Sequence, residues 1–150
     1  MIRVQREDFD LGGELKALAT TRGRIGGIVS FIGLVRDFAG DAPIQAMTLE
    51  HYPGMTERQL QAIDAEAHSR WPLDATLIVH RYGRMTPGEQ IVLVIAASAH
   101  RDAAFDACRF LIDWLKTKAP FWKLEEGSEG SQWVEAKSSD DQAAVRWAKR

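Results

Sequence analysis

Cysteine is all but missing from this sequence: Cys108 is the only one among 150 residues. An intrachain disulfide is therefore excluded, and so is a zinc site built on thiolates. Long apolar runs are missing too. The longest, residues 91–97, falls far short of the ~20 residues a membrane helix needs. The opening stretch Met1-Ile2-Arg3-Val4-Gln5-Arg6 lacks the apolar segment of a signal peptide, so a cytoplasmic location is the default expectation. Neither sign of charge dominates, with 19 basic against 21 acidic residues and a net charge of −2. Nucleic-acid binding, which draws on a basic stripe, loses support, and any anion site must be built locally from a few placed cations. Glycine-rich nucleotide loops are absent. The four histidines, His51, His68, His80 and His100, show no metal-ligand spacing on one helix. Neither a metal nor a cofactor is expected.

What is present suits one soluble domain spanning residues 1–150. The sequence is 45% hydrophobic and 27% charged, ordinary for a globular chain. A domain of this length buries roughly 68–70% of the surface of its unfolded chain. Alternation predicts a short edge strand over 2–5, and spacing predicts a helix over 11–20. Residues 25–32 read as a strand whose glycines point to close backbone approach or a bulge. A loop over 36–43 and a strand over 44–51 follow. Pro53-Gly54 marks a turn, after which Thr56 reads as a helix N-cap, with Gln59 completing a capping box. That helix carries Leu60, Ile63 and Ala67 on one face and stops near Trp71-Pro72. Strands are predicted over 75–82 and 90–97, the second rich in Ile and Val, with a turn at Thr86-Pro87-Gly88 between them. A helix from about 99 to 118 ends at Pro120. Residues 132–136 suggest a last strand, and 140–147 allow a helix. Strands adjacent in sequence without helices between them predict an α+β domain with a mixed or largely antiparallel sheet and flanking helices.

Two segments carry candidate chemistry. Ser98-Ala99-His100-Arg101 lies where a buried strand passes into a helix. A first helical turn offers free backbone N–H groups and a positive dipole end. Arg101 adds a fork that matches phosphate, and His100 adds a group that titrates near neutrality. The plainer alternative is that Ser98 caps the helix and His100-Arg101 is solvated. The second segment runs from Lys116 to Lys123. On a helical wheel Phe105, Cys108, Leu111, Ile112 and Leu115 form an apolar side, opposite Asp102, Asp106, Arg109 and Asp113, and Lys116 falls at the boundary. A lysine so placed can bury its stem and shed hydration, as a catalytic lysine must. A surface ion pair with Asp113 is the competing reading. Phe121-Trp122 beside Lys123 would suit the wall of a pocket for a flat ring, or plain core filling. Arg36 and Lys137 are further cation candidates. Cys108 sits in mid-helix on the apolar side, the place of a buried, inert thiol.

Together these segments resemble the molybdopterin synthase large (catalytic) subunit family. The residues that carry the resemblance are Leu49-Glu50-His51-Tyr52-Pro53-Gly54-Met55, Ser98-Ala99-His100-Arg101, the stretch Leu115-Lys116-Thr117-Lys118-Ala119-Pro120-Phe121-Trp122-Lys123, and Trp133-Val134-Glu135-Ala136. The similarity runs in order over about 25–147. It implies a fold of the α/β-hammerhead type and a homodimer. Each copy would take a small ubiquitin-like subunit with a Gly-Gly thiocarboxylate tail, giving a heterotetramer. The implied activity is a sulfurtransferase. It would move two sulfurs in succession onto cyclic pyranopterin monophosphate, forming the dithiolene of molybdopterin. By position, Lys116 and Lys123 are the implied catalytic lysines. His100 and Arg101 would hold the pterin phosphate, Arg36 would bind substrate, and Lys137 would reach across the dimer. The sequence departs from the family in one place: Asp37-Phe38-Ala39-Gly40-Asp41 stands where relatives carry an Asn-rich loop.

Three rival readings remain open at this level. A non-catalytic binding domain for a phosphorylated metabolite would keep the phosphate residues without needing Lys116. A persulfide sulfurtransferase would work through Cys108. An RNA-binding domain is suggested only by five tryptophans and scattered cations.

Overall fold

The computed structural model describes residues 1–20, 23–118, 120–128, 130–134, 142 and 145–148. The chain order is β1 (Ile2–Gln5), α1 (Leu11–Thr20), β2 (Gly27–Leu34), β3 (Phe38–Ala39), β4 (Ala42–His51), α2 (Met55–Arg70), β5 (Leu73–Arg81), β6 (Gly83–Met85), β7 (Gln90–Ser98), α3 (Arg101–Thr117), β8 (Phe121–Gly127) and β9 (Gly130–Val134). The strands form two sheets. The first runs β1-β5-β7-β2, with β1 parallel to β5 and the other pairs antiparallel. The second runs β3-β4-β8-β9, with β6 also on β4. This is the mixed α+β architecture expected from the strand pattern.

The apolar run on β7 now has its reason. Strand residues alternate faces, and both faces of β7 are covered. Val92, Val94 and Ala96 pack with Ile78 of β5 against Leu60, Ile63 and Ala67 of α2 and Ala107, Cys108, Phe110 and Leu111 of α3. Leu93 and Ile95 pack with Leu77 and Val79 against Phe9 and, on α1, Leu11, Leu15 and Leu18. The first sheet is thus a filling between helices. A third cluster, Val35, Met47, Leu49 and Met85, joins it to the second sheet.

Several local expectations change. The N-cap of α2 is Gly54, not Thr56. Its backbone at φ +85° suits glycine. The capping partner is Glu57, not Gln59: its carboxylate accepts the Gly54 N–H at 2.6 Å. Thr56 is buried inside the first turn, and its hydroxyl donates to the Tyr52 carbonyl. α3 begins at Arg101 with His100 as N-cap, and no side chain caps it. Ser98 is no cap: its buried hydroxyl donates to the Pro72 carbonyl at 2.8 Å. Phe105 is 59% exposed rather than part of the apolar side, because the arc facing the sheet is centred on Ala104, Ala107, Cys108 and Leu111. The loop over 36–43 contains the hairpin arm β3, and β6 and β8 are strands that periodicity did not reveal. The last strand is Gly130–Val134. The rest of the stretch expected over 132–136, and most of 140–147, lie outside the described residues.

The glycines at the start of β2 act by close approach. The Gly26 N–H donates to the Ser98 carbonyl, and a Cβ at Gly26 would stand 2.2 Å from the Ala99 carbonyl oxygen. The ladder shifts register near Gly33, as expected of a bulge.

Candidate active site

Where the α3 side of the first sheet meets the second sheet, the packing leaves a cavity of about 590 Å³. Its walls are mostly apolar, from Phe31, Leu34, Met47, Leu49, Ile112 and Leu115 among others. Its polar edge comes from four residues on four different stretches of chain: Arg36 just after β2, His80 on β5, Lys116 on α3 and Lys123 on β8. No carboxylate is among its described lining residues. Three cations set in apolar walls select an anionic ligand that also carries an apolar or extended part.

Each placement follows from local structure. Lys116 stands in the last turn of α3, four residues after Ile112, so the two share a helix face. Ile112 lines the cavity while the lysine itself is exposed. Asp113, the partner in the competing reading, accepts the Trp147 indole N–H at 2.6 Å. Pro120 ends the helix, and β8 starts at once. Alternation along β8 then sends Phe121, Lys123 and Glu125 to the cavity face and Trp122 to the other. The register agrees, pairing Lys123 with Leu49 and Val134, both of which line the cavity. Of the aromatic pair expected to form a wall, only Phe121 does. Trp122 meets Tyr52 edge-on, with ring centroids 4.4 Å apart.

Two residues not foreseen from the sequence complete the arrangement. Glu125 is buried, and its carboxylate lies 3.0 Å from the Lys123 ammonium. The i,i+2 spacing of Lys123 and Glu125 is the signal that would have revealed it, once β8 was read as a strand. His80 is buried, with its ring stacked on Phe121 at 3.8 Å between centroids and 15° between planes. Burial is the main cause that lowers its pKa to about 4, opposed by the bond to the Arg81 carbonyl and aided by the positive field of Lys116. It is therefore neutral at pH 7. A lone imidazole inside the apolar run Thr76-Leu77-Ile78-Val79 was its sequence signal.

His100 and Arg101 do not line this cavity. Both are exposed at the start of α3, roughly 24 Å from Lys116 at 1.5 Å per residue. Within one copy of the chain, the predicted residues fall into two groups at opposite ends of a helix. Lys137 lies outside the described residues. Cys108 is buried, and burial raises its thiol pKa to about 11. It is therefore protonated and inert at neutral pH. Among the described residues, no three His, Cys, Asp or Glu side chains gather as a metal site would require.

Comparison with known proteins places the chain in a family. The family model described as MoaE protein matches residues 4–118. The molybdopterin synthase catalytic subunit of Pseudomonas aeruginosa is 57% identical over 146 residues, covering 97% of each chain. That of Mesorhizobium japonicum is 54% identical over 148 residues, covering 97% of this chain and 92% of its own. The chain belongs to the MoaE family of molybdopterin synthase catalytic subunits. Solved MoaE structures agree in fold. The Burkholderia ambifaria protein superposes with a TM-score of 0.84 at 49% identity, over 99% of this chain and 97% of its own. The molybdopterin synthase of Staphylococcus aureus gives 0.82 at 29% identity, over 89% and 96%. The family is one of sulfurtransferases in molybdenum cofactor biosynthesis, which is chemistry the cation-lined cavity suits. No helix among the described residues is long and apolar enough to cross a membrane.

Proposed function

We propose that the whole chain, residues 1–150, acts as one domain in the cytoplasm, and that its cavity is where sulfur passes to a pterin. The C-terminal thiocarboxylate of a small ubiquitin-like subunit enters between apolar walls, and cyclic pyranopterin monophosphate is the acceptor. Two such deliveries complete the dithiolene. The observation that carries this reading is the convergence of Arg36, Lys116 and Lys123 on one cavity whose described lining holds no carboxylate.

The cavity's apolar walls suit an extended Gly-Gly tail, which has no side chains to accommodate. Its terminal thiocarboxylate meets Lys116 and Lys123. The thiocarboxylate sulfur bonds to a pterin carbon in place of an oxygen substituent, giving a thioester. Water then attacks the thioester carbonyl carbon, its C–S bond breaks, the tail leaves as a carboxylate and the sulfur stays on the pterin. Negative charge collects on the carbonyl oxygen during that attack, and two preplaced ammonium groups stabilise it more than they stabilise the ground state. Glu125 holds Lys123 in position through the 3.0 Å pair. Arg36 offers its fork to substrate at the β2 end. His100 and Arg101 bind the pterin phosphate with the uncapped first turn of α3. Since they stand a helix length from Lys116 in their own copy, they serve the cavity of a second copy in a homodimer. Lys137 reaches across the same interface. With one small subunit on each copy, the assembly is a heterotetramer.

The test is reconstitution. The protein is mixed with a thiocarboxylated ubiquitin-like partner and cyclic pyranopterin monophosphate, and dithiolene is measured. Wild type forms it and Lys116→Ala does not. A chain that binds the pterin with no turnover would instead be the phosphate-binding module considered above.

A further inference from the structure

His80 has no part in the scheme above, yet it is held from three sides within the same cavity. Its Nδ1 lies 2.9 Å from the Arg81 carbonyl oxygen. A carbonyl can only accept, so Nδ1 carries the ring proton and Nε2 keeps the lone pair. Phe121 fixes the ring plane by stacking. Burial keeps the ring neutral. The titratable groups around it come from three other elements: Lys116 from α3 and His51 from β4 both act on it electrostatically, and Lys123 shares the cavity from β8, while its strand neighbours Val4 of β1 and Val92 of β7 bring no charge. Arg36, Lys116 and Lys123 bring only donors to this cavity, so a fixed neutral acceptor among them has a distinct use.

We propose that His80 is a positioning residue for sulfur transfer, presenting Nε2 as a hydrogen-bond acceptor that aims the Lys116 ammonium at the reacting carbonyl. This rests on the reading of Lys116 given above. A carboxylate in the same place would also aim the lysine, but it would repel the incoming thiocarboxylate. A neutral imidazole aims without adding negative charge. Phe121 then links the two lysines mechanically: it follows the end of α3, stacks on the ring that orients Lys116, and lies two residues before Lys123 on the same strand face.

Two substitutions separate this from a packing role. His80→Asn keeps an N–H near Nδ1 for the Arg81 carbonyl and loses the acceptor. His80→Gln loses that N–H and places an amide oxygen near Nε2. In the reconstituted complex, His80→Asn should lower kcat about tenfold or more, the worth of one hydrogen bond to a charged group, with KM little changed. His80→Gln should recover most of the rate despite a lower Tm. Asparagine as active as glutamine or more so overturns the proposal, since it would show that only the Arg81 contact matters. Should neither variant fold, the ring nitrogens of the wild-type chain decide by 15N NMR at pH 7. The proton should sit on Nδ1, and the Nε2 signal should shift when Lys116→Ala removes the donor. A proton on Nε2, or no shift, refutes it. Lys116→Ala with full activity refutes the underlying role of Lys116 instead, whatever His80 does.

Discussion

The two sheets obey different rules. The β5-β7 heart of the first is apolar on both faces, and its residues announce themselves: Leu77, Ile78, Val79, Leu93, Val94 and Ile95 are all 3% exposed or less. The cavity face of β8 reads Phe121, Lys123, Glu125 instead, with a cation and a carboxylate where apolar residues would pack better. Hydrophobic burial of about 25 cal/mol per Å² stabilises the first region. The second spends part of that gain on a charged pair half sunk in the protein, whose desolvation its attraction offsets only in good geometry. The contrast separates a part of the molecule whose residues maximise packing from a part whose residues do not.

The sharpest way to test that division is to remove a side chain from each region. Lys116→Ala should cut dithiolene formation by roughly 10²–10⁴-fold, while stability in urea falls by no more than about 1 kcal/mol, the worth of one hydrogen bond, because the side chain is otherwise exposed. A loss of stability as large as the loss of activity would break the division. Phe110→Ala should do the reverse. Its ring is fully buried among Trp71, Trp114 and Trp147, and truncation should cost about 3–5 kcal/mol in denaturant unfolding.

The pH dependence of stability should trace to the cavity side as well. His80 titrates near 6.5 when unfolded and at about 4 when folded. Between those values the unfolded chain binds the extra proton, so stability falls as pH drops from 6.5 to 4 and is level above that window. The loss is on the order of 3 kcal/mol at the acid end, measured as Tm against pH, and His80→Gln should flatten that part of the curve. Glu125→Gln comes next. It leaves the Lys123 ammonium without its carboxylate, and both stability and kcat should drop by about 1–3 kcal/mol equivalents. Unchanged kcat would mean Lys123 needs no anchoring. Cys108→Ser should have the smallest effect: about 1 kcal/mol of stability, with activity intact. A collapse of activity there would revive the persulfide reading.

How much was legible follows the same division. Helix 11–20, the edge strand 2–5, the buried β7 and the face Leu60, Ile63, Ala67 were readable because burial imposes a period that the residues repeat. β8 was not, because its cavity face carries the Lys123–Glu125 pair and its apolar period is masked. β6 is three residues long, too short for any period to show. The α2 cap was misplaced because two chemically reasonable caps stood two residues apart, and the backbone chose the one where glycine permits φ +85°.

Residue chemistry and motif spacing were enough, on their own, to determine the family and the α+β class and to nominate the candidate cations, since those depend on which side chains exist and in what order. Only the tertiary structure decided that Arg36, Lys116 and Lys123 share one cavity while His100 and Arg101 stand at the far end of α3, and that a buried glutamate and a neutral histidine attend the two lysines. A sequence orders residues along a line. The distances that set electrostatic and hydrogen-bond energies are between strands and helices packed from remote segments, and they exist only once the chain is folded.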